Sequence, residues 1–148
     1  MNERATSSVW PGGVPRVGDR AERSRRVTDH DIALFTEISG DRNPLHYDDD
    51  AAAASPFGRI IVQGGLISAI LNAVVAEDLP GPGTVFMHVD WSFKAPVWPG
   101  ATLKGMVEVL DVRKDKPITK LRTVVTRDDG TVVLEGDAVC YTVPLAKT

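Results

Sequence analysis

The sequence predicts an α+β domain in which a curved antiparallel sheet wraps around one apolar helix. Three observations predict it. Leu66 to Ala76 is apolar on nearly every face and ends in Glu77-Asp78, the pattern of a helix enclosed by protein. After the hard break Pro80-Gly81-Pro82-Gly83 the pattern switches to a period of two, and four long strand-like runs follow. A sheet made of them has one apolar face to cover, and the enclosed helix is the only long element able to cover it.

The 148 residues suggest one domain with a sizeable core, at 43% apolar and 25% charged residues. The net charge of -3 argues against a nucleic-acid binder, because phosphate neutralisation needs a basic surface. One cysteine, Cys140, excludes an intrachain disulfide and fits a reducing compartment. No stretch resembles a signal peptide or reaches the ~20 apolar residues that span a bilayer, so the expected location is the cytoplasm.

Residues 1–20 are rich in Gly, Pro, Ser and Arg and read as a flexible N-terminal arm, or a short edge strand near Val14–Val17; the domain itself is expected over 21–148. Val27-Thr28-Asp29-His30-Asp31-Ile32 reads as a helix start. Thr28 is the N-cap, Asp31 the capping-box partner, and Val27 with Ile32 the hydrophobic staple. Ile32, Phe35 and Ile38 then give one apolar face, and Gly40 the stop. His30 falls on the surface of the first turn.

Next comes the stretch richest in chemistry, Ser39-Gly40-Asp41-Arg42-Asn43-Pro44-Leu45-His46-Tyr47-Asp48. Gly40 permits an abrupt change of direction, and Pro44 pushes Asn43 out of the helical region. The stretch therefore reads as a rigid curl that brings a carboxylate, Asp41, and an imidazole, His46, to one place. Asp48-Asp49-Asp50 suits the N-terminus of a short helix over the following alanines, ahead of a metal site, since no second His or Cys stands at ligand spacing. Gly64-Gly65 opens the enclosed helix and leaves backbone N–H groups uncovered, a place for an anion or an oxyanion; on its own such a pair reads as close packing.

The strands are expected over Val85–Phe93, Leu103–Val112, Ile118–Arg127 and Thr131–Val143, as a meander, with Val85, Met87, Val89, Trp91 and Phe93 on one face of the first. Its open edges predict a dimer. Arg113, Lys114, Lys116, Lys120 and Arg122 form a basic cluster that reads as a solvated hairpin, with the phosphates of coenzyme A as a sharper alternative. Cys140 reads as core, and His88 has no role.

Taken in order, Ser39 to His46, Phe57-Gly58-Arg59-Ile60-Ile61-Val62, Gly64, Leu66 and Pro80 to Thr84 resemble the MaoC-like dehydratases, and within them the (R)-specific enoyl-CoA hydratases. The resemblance runs over roughly residues 25–143. It implies a hot-dog fold, a homodimer with substrate near the interface, and reversible syn addition of water to a trans-2-enoyl thioester to give a (3R)-hydroxyacyl thioester. It further implies that Asp41 and His46 hold the water, that the Gly64 amide binds the thioester oxygen, and that Asn43 orients the site. Acyl-CoA or an acyl-carrier-protein thioester is then the substrate, with no cofactor and no metal. The sequence departs from the family pattern at Gln63, where His is usual, and at Gly65, where a larger apolar residue is usual; the second departure is expected to loosen the helix start or enlarge the pocket.

The chemistry asks for deprotonation of water, protonation of the α-carbon and stabilisation of an enolate oxygen. Carboxylate and imidazole groups, with reference pKa values of about 3.9 and 6.5, both accept protons near neutrality. Two other classes remain open on the sequence: a binding module that holds acyl thioesters without turning them over, and a hot-dog thioesterase that hydrolyses them.

Overall fold

Five strands and three helices make up the computed structural model, which describes residues 9–146. In chain order these are β1 (Arg20–Arg26), α1 (Asp29–Ser39), a single 3-10 turn (Pro44–His46), α2 (Asp49–Ala54), α3 (Gly64–Ala73, prolonged by a wider π turn over Val74–Asp78), β2 (Thr84–Phe93), β3 (Thr102–Val112), β4 (Ile118–Arg127) and β5 (Val132–Thr142). All neighbouring strands are antiparallel, in the order β1-β3-β4-β5-β2. Helix α3 buries Ile67, Ile70 and Leu71, and its prolongation Val74 and Val75. These join Val107, Val109, Leu121, Val125, Leu134 and Ala138 of the sheet in one core. Cys140 is part of that core, and burial pushes its thiol up to about 12, so it stays protonated at neutral pH.

The sheet is not a simple meander. Strands β3, β4 and β5 follow one another, but β2 pairs with β5 rather than β3. The connection from β2 to β3 must therefore cross to the far side of the sheet. On the way it buries Val97 completely, and the Val97 carbonyl accepts from Val62 N at 2.7 Å. Period two cannot tell which strands are neighbours, because each strand keeps its faces wherever it pairs.

The face expected for β2 is also interrupted. A bulge between Phe86 and His88 shifts the register. Val85 and Met87 come out 55% and 58% exposed, whereas Phe86 and Trp91 meet edge to face at 5.8 Å between ring centres. Residues five apart share a face of a strand only when an extra residue intervenes.

Strand β1 lies at Arg20–Arg26, not near Val14–Val17, and pairs along β3. Its sequence, Arg-Ala-Glu-Arg-Ser-Arg-Arg, carries no apolar alternation, so tertiary pairing alone makes it a strand. From the expected arm, Gly18 and Asp19 continue this edge: Gly18 N donates to Val109 O and Val109 N to Asp19 O, both at 2.9 Å. Residues 1–8 lie outside the described residues.

Helix α1 starts as expected. Thr28 Oγ1 accepts from Asp31 N at 3.3 Å, and Asp31 Oδ2 accepts from Thr28 N at 3.0 Å. Its apolar face differs, with Ile32 and Thr36 buried and Ile38 85% exposed. A step of three residues slips back about 60° around a helix, so two steps carry Ile38 about 120° from Ile32. Burial pushes the Asp31 carboxyl up, but hydrogen bonds from the Thr28 amide and the Arg25 guanidinium (2.6 Å) outweigh it and hold the group below its ordinary value. A carboxyl lowered on folding contributes stability above its unfolded value, and loses it as pH falls through the folded one. Asp31→Asn is therefore expected to destabilise the protein by about 1 kcal/mol at pH 7. Urea unfolding at a series of pH values checks this: the two proteins converge below about pH 4, and a difference unchanged down to pH 3 contradicts it.

Candidate active site

The polar residues of the curl shape it before they do anything else. Helix α1 ends at Gly40, left-handed at φ 77°. Ser39 Oγ accepts from Asp41 N at 3.1 Å, Asp41 Oδ1 from Asn43 N at 3.0 Å, and Asn43 Oδ1 from Leu45 N at 3.1 Å. Asn43 thus caps the turn Pro44–His46, and Pro44 fills its first position, where a missing N–H costs nothing. This chain of caps bends the backbone so that Asp41 Oδ2 and His46 Nε2 stand 3.6 Å apart.

The His46 ring is 8% exposed, and its Nδ1 lies 2.6 Å from the carbonyl of Ile61. A carbonyl can only accept, so Nδ1 carries the proton and, in the neutral ring, Nε2 turns a lone pair toward Asp41. The Asp41 side chain is 37% exposed, and its Oδ2 is the oxygen not used by Asn43. With the ring neutral, two acceptors stand side by side at 3.6 Å, and the Asp41 side chain is partly exposed. Water, with two O–H groups, is the donor that such a pair accommodates.

The glycine amides lie close in the chain to the same carbonyl. Ile61 and Val62 lead into Gln63 and Gly64, where α3 begins. Among the described residues, neither the Gly64 nor the Gly65 N–H donates to a protein group, and the Gln63 side chain does not cap the helix. Gly64 lines a pocket of about 310 Å³ with Phe57, Ile61, Ile67, Phe93 and Lys94. A Cβ on Gly64 would stand 3.2 Å from the Phe93 ring, and one on Gly65 would overlap the Phe35 ring. The space left by Gly65 is therefore taken up by Phe35, and the helix begins regularly at Gly64.

The structure thus unites Asp41 and His46, gives Asn43 the work of building the turn between them, and puts Gly64 at a pocket wall that includes Ile61. The other candidates lie apart. Arg113 forks onto Asp115 at 2.9 and 2.6 Å, and Lys120 stands 3.7 Å from Asp137, so the basic cluster is partly neutralised where β3 turns into β4. Asp48 accepts from Asp50 N and Ala51 N as the N-cap of α2. His30 and His88 are exposed.

Three residues beside the dyad escaped sequence reasoning as a group. Gln63 is 1% exposed, and its Nε2 donates to Ile32 O (3.1 Å) and Thr36 Oγ1 (3.3 Å). Thr36 Oγ1 donates to the Asp41 carbonyl at 2.9 Å and is hydrogen-bonded to Tyr47 Oη. Gln63 drew notice in the sequence as a departure. Thr36 could have been found from its place one turn after Ile32, where a buried hydroxyl needs partners.

Comparison with known proteins identifies the family and the fold. The MaoC like domain family model matches residues 15–132. The (R)-specific enoyl-CoA hydratase of Aeromonas caviae is 37% identical over 123 residues, 83% of this chain and 92% of that protein. The mitochondrial 3-hydroxyacyl-[acyl-carrier-protein] dehydratase of Arabidopsis thaliana is 31% identical over 138 residues, 91% of this chain and 82% of that protein. The solved (R)-hydratase from A. caviae involved in PHA biosynthesis superimposes with a TM-score of 0.83 at 36% identity, covering 86% of this chain and 97% of that one. The sheet wrapped on α3 is accordingly the hot-dog fold, and the chain belongs to the MaoC-like dehydratase family.

Proposed function

We propose that this protein reversibly hydrates trans-2-enoyl-CoA to (3R)-hydroxyacyl-CoA. The observation that carries the reading is the acceptor pair, Asp41 Oδ2 and His46 Nε2 at 3.6 Å, with the Nδ1 proton committed to Ile61 O. One water gives an O–H to each. As its oxygen attacks C3 of the enoyl group, Asp41 takes a proton as general base, and the C2=C3 electron pair moves toward the thioester carbonyl. His46 relays that proton to C2 on the face just attacked, and the enolate collapses to product. The developing oxyanion lies against the Gly64 N–H, a donor worth about 2.7–4 kcal/mol in comparable sites. Water supplies both added groups, so the step needs no cofactor beyond the acyl-CoA itself. Named relatives act on coenzyme A and on acyl-carrier-protein thioesters, and the pocket beside Gly64 serves the acyl end that both share.

Two copies are proposed to pair along β2. Among the described residues the sheet ends in β1 on one edge and β2 on the other. Charges blunt β1, five of whose seven residues are Arg or Glu. Strand β2 instead exposes Val85, Met87, Val89 and Phe93, and Phe93 also lines the Gly64 pocket, so pairing there would bring a second chain beside the site.

Purified protein mixed with crotonyl-CoA tests the reaction. Loss of enoyl absorbance without free thiol is the expected result; release of thiol would make the protein a thioesterase, and saturable binding with neither would make it a carrier module. Asp41→Asn and His46→Ala are each expected to lower kcat at least 10²-fold, and full activity in either would remove the dyad from the mechanism. Light scattering after gel filtration tests the pairing. Twice the monomer mass is expected, falling to the monomer mass in Val89→Lys; a wild-type monomer would refute it.

A further inference from the structure

Beyond the Asn43 N–H of its own curl and His46 opposite, the Asp41 carboxylate has no partner among the described residues. Asp41 sits in an exposed loop, and its main chain makes two side-chain contacts: its N–H with Ser39 Oγ, from the same turn, and its carbonyl with Thr36 Oγ1, from the helix before. Thr36 is thus the anchor between Asp41 and the rigid part of the fold. Its hydroxyl is fully occupied. It owns one proton and two lone pairs. Gln63 Nε2 can only donate and takes one lone pair. If the proton goes to the Asp41 carbonyl, which can only accept, then Tyr47 Oη donates its one proton into the second lone pair, and its longer 3.4 Å approach to Ile32 O gives way to the Gln63 Nε2 donor on that carbonyl.

Gln63 completes the case. Its Oε1 is buried and has no hydrogen-bond partner among the described residues. Exchanging O and N does not relieve this, because it would set the amide oxygen 3.1 Å from the Ile32 carbonyl, acceptor against acceptor, and leave the amide hydrogens without a partner. A buried orphan acceptor is destabilising, and an apolar side chain of similar size would avoid it. The amide nitrogen instead bridges the Ile32 carbonyl and Thr36 Oγ1. Gln63 also directly precedes Gly64, so one buried hydroxyl ties the main chain of the base to the first residue of α3.

We propose that Thr36, gripped by Gln63 and Tyr47, is a positioning residue that holds the Asp41 main chain so that Oδ2 reaches the water shared with His46. This rests on the hydratase reading. The expectation follows from how steeply rate depends on placement: a shift near 1 Å costs on the order of 10²-fold. Thr36→Val keeps the shape and removes the hydroxyl. It should lower kcat for crotonyl-CoA by about 10- to 100-fold with KM within about twofold, and Thr36→Ser should restore most of the loss. Gln63→Leu should lower kcat while leaving the urea midpoint unchanged or raised, which a merely structural role would not do. Should Thr36→Val fail to fold, Tyr47→Phe removes one grip alone and should lower kcat in the same way, at unchanged KM.

A second readout does not depend on turnover. In protein carrying ¹⁵N-labelled histidine, the His46 Nε2 resonance should move in Thr36→Val, return in Thr36→Ser, and leave Nδ1 in place throughout. Wild-type kcat in Thr36→Val, equal losses in the Val and Ser variants, or an unmoved Nε2 resonance would each overturn the proposal. A wild-type protein that hydrates no enoyl thioester would strike the hydratase reading instead, and the resonance would still decide whether Thr36 holds Asp41 in place.

Discussion

The site depends on one contact, the 2.6 Å hydrogen bond from His46 Nδ1 to the carbonyl of Ile61. It does three things together. It satisfies the inner edge of a ring that is almost wholly buried, it settles which nitrogen carries the proton, and it aims the other nitrogen at Asp41. The carbonyl is itself held. Ile61 N donates back to Leu45 O at 3.1 Å, so the curl and the segment before α3 grip each other through main-chain groups. Val62 N then reaches Val97 O in the connection between β2 and β3. The imidazole is thereby positioned by backbone that is tied to the sheet, which is the kind of support a precise site requires.

The wrapped helix explains why this support exists at that place. Helix α3 is apolar enough to be enclosed, and the sheet covers it through the residues of β3, β4 and β5. Its N-terminus lies where the curl crosses. The crossover from β2 passes there as well, bringing Val97 into the core and Phe93 against Gly64. Gly64 and Gly65 are small for two different reasons: one faces the ring of Phe93 at a pocket wall, and the other makes room for Phe35. Packing and chemistry thus meet at one helix end, with amide hydrogens left over.

Much of this was legible in the sequence because it is local. The cap at Thr28 with Asp31, the stop at Gly40, the turn at Pro44 and the enclosed helix all depend on neighbours within a few residues, and each is found where the pattern puts it. Motif order did the same for the dyad, since Asp41 and His46 sit at two ends of one curl. What the sequence hid is long-range. The place of β2 beside β5, the bulge after Phe86 and the pairing of the charged strand β1 are decisions of the whole sheet. Thr36 and Gln63 are 27 positions apart and meet only because α1 packs over the start of α3. Ile38 failed for a geometric reason, the drift of a three-residue repeat around a helix.

The central claim is that one water, held between Asp41 and His46, supplies both the hydroxyl and the proton to the same face of an enoyl thioester. Hydration of crotonyl-CoA in deuterium oxide tests it most directly, with the product's configuration read from its proton couplings. A (3R) product is expected, with deuterium at C2 on the face that received the hydroxyl. Anti addition, or a (3S) product, would contradict it.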